Sequence, residues 1–222
     1  VAGKPMLEHV ILKLKASGFT EIVINVHHFA DQILDFLQAN HNFGVDIHIS
    51  DETEELLDTG GGLEKAGKYF ISSCHEDKNG ILLHNVDILS NCNLQDLIRF
   101  HQQTPDVYAT MLVSRRITSR YLLFDDNNLL CGWINKTTGE VKPAGLKYEE
   151  GKFREYAYSG IQAINPLLLN KGMKPGKYSI IDFYLQVCKN IRIQGYPVDN
   201  LQLIDIGKPE TLIKAEEFLN QL

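Results

Sequence analysis

The feature that most constrains this chain is the run Leu82-Leu83-His84-Asn85-Val86-Asp87-Ile88-Leu89, mostly apolar and bounded by Gly80 and by Ser90-Asn91. Such a run reads as a strand covered on both faces, which points to a sheet with parallel strands. Asp87 then falls near the strand's carboxyl end, where open α/β sheets hold their ligands. A carboxylate there is costly to bury unless something pairs with it, and a divalent cation is one such partner. An Asp that starts a turn, or caps a helix beginning near Leu94, is the alternative.

The flanking patterns alternate between helix and strand. Met6, Leu7, Val10, Ile11 and Leu14 make an apolar stripe after Pro5 that ends at Gly18. Glu21 to Val26 is β-branched and short, Ile33, Leu34 and Leu37 mark a second helix, and Val45 to Ile49 alternates as a strand. Val107 to Val113 and Tyr158 to Ile164 read as further core strands, and Ser179 caps a helix carrying Ile180, Ile181, Phe183, Tyr184 and Val187. Leu201 to Gly207 is a strand ending in a second carboxylate, Asp205, and Pro209 opens the last helix. This order predicts an α/β fold with a mostly parallel mixed sheet flanked by helices, in a single domain over residues 1–222.

Two stretches depart from that alternation. Asp58-Thr59-Gly60-Gly61-Gly62 precedes a short helical pattern; it is either a backbone surface that a ligand approaches closely or a loop that needs positive φ. Tyr121-Leu122-Leu123-Phe124, the turn cluster Asp125 to Asn128, and Leu129 to Ile134 predict an antiparallel β-hairpin excursion, a flap within residues 120–157. Arg115, Arg116 and Arg120 lead into it as a solvated face or a phosphate clamp, and Trp133 serves hairpin packing or stacks on a ligand. Ser159 and Gly160 leave room for a ligand or mark a tight strand crossing.

Composition narrows the partners. A formal net charge of -6 gives no support for nucleic acid. No apolar run approaches the roughly 20 residues that span a bilayer, and no secretory signal is seen, so a cytoplasmic location is expected. Cys74, Cys92, Cys131 and Cys188 lack a C-x-x-C pair and read as buried or inert thiols, while His84 reads as structural rather than catalytic and His27-His28 has no metal-ligand spacing.

Taken in order, Gly3-Lys4-Pro5-Met6, Thr59-Gly60-Gly61-Gly62, Asn85-Val86-Asp87, Tyr158-Ser159-Gly160-Ile161 and Asp205-Ile206-Gly207-Lys208-Pro209-Glu210 resemble the sugar-1-phosphate nucleotidylyltransferases. The likeness spans almost the whole chain and is to the short bacterial form, such as the N-acetylmuramate-1-phosphate uridylyltransferases and the mannose- or heptose-1-phosphate guanylyltransferases. It implies a Rossmann-like sheet, and an enzyme that joins a nucleoside triphosphate to a sugar 1-phosphate and releases pyrophosphate. It further implies that Asp87 and Asp205 are catalytic and bind Mg²⁺, that Thr59, Gly60, Gly61 and Gly62 contact the nucleotide, and that Asn85, Ser159 and Gly160 line the sugar side. It leaves homo-oligomerisation open. The family's Gly-rich strand and triphosphate loop are expected upstream of Val1, so the chain as given would lack its phosphate cradle. A catalytically silent nucleotide-sugar-binding or regulatory homologue is the competing expectation, against which the retention of both aspartates argues.

Overall fold

The computed structural model describes residues 1–71, 80–207 and 211–220. Pro209, the expected opening of the last helix, and Cys74 lie outside these residues. In chain order the elements are α1 (Met6–Ala16), β1 (Glu21–Val26), α2 (Ala30–Ala39), β2 (Asp46–Asp51), α3 (Asp58–Ile71), β3 (Ile81–His84), β4 (Ile88–Ser90), α4 (Leu94–Gln103) and β5 (Val107–Ser114). They continue as β6 (Arg120–Phe124), β7 (Leu130–Asn135), β8 (Val141–Lys142), β9 (Arg154–Ile164), α5 (Ile180–Val187), β10 (Arg192–Pro197), β11 (Leu203–Asp205) and α6 (Thr211–Leu219).

The mixed α/β class expected from the patterns is what forms, but the expected single domain divides into two compact units. One gathers Val1–Val10, Asn79–Asn165 and Leu185–Leu222; the other gathers Ile11–Lys78 and Pro166–Tyr184. The chain passes between them repeatedly, so no linker-like change of composition marks a boundary. In the second unit β1 and β2 pair in parallel, with Ile22 opposite Ile47 and Val26 opposite Asp51.

The first unit holds a seven-stranded sheet in the order β10-β5-β9-β6-β7-β8, with β3 also joined to β9. β10 and β5 are parallel, and β9 runs antiparallel to β5, β6 and β3. One edge of β9 pairs with β5 along most of its length. Its other edge changes partner, holding β6 through Arg154, Glu155 and Tyr156 and β3 through Ile161 to Ile164. Tyr158, Ser159 and Gly160 lie in the gap between. β5 is buried on both faces, as its unbroken apolar run requires.

Two expectations change here. The hairpin of β6 and β7 forms, with Trp133 packed opposite Leu122 and below the Lys142 ammonium, but it is no separate flap. Pairing of β6 with β9 makes it an extension of the main sheet. The Leu82–Leu89 run is likewise two short strands. Asn85, Val86 and Asp87 turn out of the sheet between half-buried β3 and buried β4, and the turn is closed by the Ile88 N–H donating to the Asn85 carbonyl. Asp87 does not cap α4; Asn93 does, its side chain accepting from the Gln95 and Asp96 N–H groups.

α4 buries Leu94, Leu97 and His101, one helical face at i, i+3 and i+7. His101 Nδ1 lies 2.8 Å from the Thr110 hydroxyl of β5. Burial disfavours the imidazolium and lowers its pKa from 6.5 to about 4. A lowered folded-state pKa means that the unfolded chain takes up the proton first. The contribution is therefore complete above the ordinary histidine value and is lost as pH falls through it toward about 4. The expected loss is roughly 3 kcal/mol. Urea denaturation of the natural protein and of His101→Gln at pH 7.5 and 4.5 measures it as the difference between the two losses; equal losses exclude His101 as the source.

Candidate functional site

In the first unit the candidate residues gather where β3 leaves the sheet. The Asn85 N–H donates to the Gly160 carbonyl at 2.9 Å, tying the turn after β3 to the gap on β9. Gly160 has φ +79, and a Cβ there would stand 3.0 Å from Ile88 Cγ1 and 3.1 Å from Asn85 Nδ2. Both the backbone angle and the close approach of Asn85 call for glycine. Ser159 is buried, and its hydroxyl donates to the Leu112 carbonyl at 2.7 Å while accepting from the Ile161 N–H. That hydroxyl satisfies main-chain groups where the β5–β9 register shifts between Met111 and Val113. It holds the shape of the Gly160 turn.

Asp87 and Asp205 meet across β4 and β11, and the pairing is antiparallel, whereas the sequence reading placed both at the ends of parallel strands. Asp205 stands opposite Ile88, and the Ile206 N–H donates to the Asp87 carbonyl at 2.9 Å. The two carboxylates are thus neighbours in space despite their separation in the chain. Desolvation by the packed strands, then the adjacent Asp205 charge, hold the Asp87 carboxyl above the usual aspartate range. Asp205 Oδ1 accepts from the Gly207 N–H at 3.0 Å, which fixes its side chain. Among the described residues no third His, Cys, Asp or Glu joins them in a metal-sized cluster. Two neighbouring carboxylates without nitrogen or sulfur donors fit a hard cation that keeps waters and takes its remaining oxygens from a ligand.

Thr59, Gly60, Gly61 and Gly62 belong to the second unit and form the first turn of α3 rather than a loop before it. The glycines are buried and none has positive φ. The N–H groups expected to be free are engaged, Gly60 and Gly61 both donating to the Tyr178 carbonyl at 2.9 and 3.3 Å. The Thr59 hydroxyl accepts from the Ile180 N–H at 3.0 Å. A Cβ on Gly61 would run into the Gly176 carbonyl oxygen, so packing alone requires glycine there.

Beside this turn lies a group that the sequence reading missed. Glu52 is 4% exposed, its Oε1 accepting from Asn25 Nδ2 at 2.5 Å and its Oε2 from the Leu57 N–H at 3.0 Å. Asn25 Nδ2 also donates to the Gly62 carbonyl at 2.9 Å. Asn25 near the end of β1 and Glu52 just past β2 sit at the carboxyl ends of parallel strands. The rule that singled out Asp87 also applied to them.

A sequence profile described as nucleotidyl transferase matches residues 1–221. The N-acetylmuramate alpha-1-phosphate uridylyltransferase of Caulobacter vibrioides is 41% identical over 222 residues, covering 97% of this chain and 84% of that protein. A mannose-1-phosphate guanyltransferase of Gibberella zeae is 34% identical over 102 residues, 46% of this chain and 27% of that protein. Among solved structures, HddC from Yersinia pseudotuberculosis complexed with GMP-PN superposes with a TM-score of 0.72 at 19% identity, over 97% of this chain and 86% of that one. At that identity the superposition speaks for the fold.

Replacing glycine by alanine inside a helix ordinarily stabilises by about 1 kcal/mol. At Gly61 the clash with a main-chain oxygen outweighs that gain, since overpacking costs about 1–3 kcal/mol. Gly61→Ala is expected to lower stability, read as a lower urea midpoint with an unchanged slope. A midpoint at or above that of the natural protein would mean that the turn is not packed as described.

Proposed function

The chain belongs to the nucleotidyl transferase family, and from that premise we propose that it transfers a nucleotidyl group from a nucleoside triphosphate to a sugar 1-phosphate, giving an NDP-sugar and pyrophosphate. The observation that carries the reading is the juxtaposition of Asp87, in the turn before β4, with Asp205 on β11, in a chain that matches the family along its length. UTP is the first donor to try, because a relative 41% identical over 97% of this chain is named a uridylyltransferase.

In the reaction an oxygen of the sugar phosphate forms a bond to the α-phosphorus. The bond from that phosphorus to the bridging oxygen breaks opposite to it, and pyrophosphate leaves with the electron pair. No protein nucleophile is needed. Mg²⁺ held by Asp87 and Asp205 would supply positive charge to the reacting phosphates. The chain's own residues hold these two carboxylates in place through the β4–β11 ladder and through the Gly207 N–H on Asp205. Asn85 and Gly160 form the sugar-side surface, with Ser159 behind it as a support. Thr59, Gly60, Gly61 and Gly62 are assigned to the nucleotide on their motif. Among the described residues no helix is long and apolar enough to cross a membrane, which supports a cytoplasmic enzyme working on small soluble substrates.

The test is pyrophosphate release by the full natural protein with UTP, GTP, CTP or dTTP against a panel of sugar 1-phosphates. We expect turnover with at least one pair, abolished by chelation of divalent cations and restored by Mg²⁺. Asp87→Asn and Asp205→Asn should each lose on the order of 10²-fold or more in turnover, comparable with other losses of fixed electrostatic stabilisation. Because one ion would serve both, the double variant should lose less than the product. Full activity in either folded variant would sink the assignment.

A further inference from the structure

The arginines between β5 and β6 have no part in the site so far. Arg115 and Arg116 follow the carboxyl end of β5, which closes with Val113 opposite Tyr158 and Ser114 opposite Ala157. Arg116 Nη2 donates to the Tyr158 carbonyl at 3.0 Å. This fixes the guanidinium at the gap on β9, two residues before Gly160 and on the same unit as Asn85, Asp87 and Asp205. Arg99 and Arg154 have acidic partners in Asp96 and Asp126. Arg116 has none among the described residues. One of its donors is spent on Tyr158, and the planar fork keeps others for an anion.

The electrostatics of this edge ask for such a cation. With Asp87 and Asp205 assigned to the divalent cation, the Tyr158 and Gly160 main-chain carbonyls offer no positive charge of their own to a phosphate monoester at the β9 gap. Arg116 is the described cation hydrogen-bonded to the Tyr158–Gly160 stretch.

We propose that Arg116 binds the phosphate of the sugar 1-phosphate. The assignment rests on the reading given under the proposed function, in which this stretch faces the sugar rather than the nucleoside triphosphate. A guanidinium suits the role because it meets two oxygens of one phosphate at once, which a single ammonium does not.

Steady-state kinetics of Arg116→Gln and Arg116→Lys test it, with circular dichroism to establish folding. Arg116→Gln should raise KM for the sugar 1-phosphate on the order of 10- to 100-fold, the range for a lost hydrogen bond to a charged group. KM for the nucleoside triphosphate should stay within about twofold, a change too small to signal a lost hydrogen bond. Arg116→Lys should recover part of the loss. Unchanged KM for the sugar 1-phosphate in folded Arg116→Gln overturns the proposal. A rise confined to the triphosphate also overturns it, because the cation would then serve the other substrate. Should the natural protein turn over no pair, the functional reading fails, and calorimetric titration with inorganic phosphate decides Arg116 separately. Binding that Arg116→Gln loses supports a phosphate site; equal binding by both proteins removes it.

Discussion

The candidate site depends on one short antiparallel ladder. β4 and β11 have three residues each, yet their pairing and the Ile206 N–H donated to the Asp87 carbonyl bring two distant carboxylates together. Like charges a few ångströms apart repel by on the order of 1 kcal/mol in water and more where the surroundings exclude it. The ladder withstands this because of what lies beneath it. Leu89, Ala215 and Phe218 form a buried cluster packed by Val1, Met6, Ile204, Ile206 and Leu219. A buried leucine or phenylalanine contributes roughly 1.5–3 kcal/mol. Apolar packing therefore outweighs the repulsion, and among the described residues the charge pair is held without a salt bridge.

Local signals were legible in the chain and non-local ones were not. β-branched runs disclosed β1 and β5, and Ser179 and its apolar stripe disclosed α5, whose Ile181 N–H donates to the Ser179 hydroxyl. Asp87 and Asp205 drew attention by their expected place at the ends of parallel strands; the structure brings them together, but with Asp87 in the turn before β4 and with β4 antiparallel to β11. Which strand pairs with which is decided by contacts far apart in sequence, and the pattern within one strand does not encode its neighbour's direction. The hairpin at β6 and β7 shows the same limit: its turn residues are a local code, but its attachment to β9 is not.

The glycine triplet drew attention for close backbone approach, and part of that approach is internal to the protein. Close backbone approach is why glycine stands at Gly61, but the approaching group is the protein's own Gly176 carbonyl. Sequence alone marks that a close contact is needed without saying who makes it. Ser159 is parallel: a small polar residue in an apolar strand marks an exceptional environment, here a register shift needing a hydroxyl. Glu52 escaped notice because it follows β2 among other acidic residues, with nothing in its neighbours to distinguish a buried carboxylate from a solvated one.

The interleaving of the two units has a consequence for how the protein is made. Asn91, just past β4, pairs with Gln202, 111 positions further along the chain. Synthesis at about 5–20 residues per second leaves β4 waiting several seconds or more for its mate to leave the ribosome. During that interval Leu89 lacks its cover from α6, and an apolar strand with open edges is what chaperones protect and what aggregates. The charge pair thus cannot assemble until β11 has been made, and a ribosome stalled short of β11 would release a chain carrying most of the sheet and only half of its acidic pair.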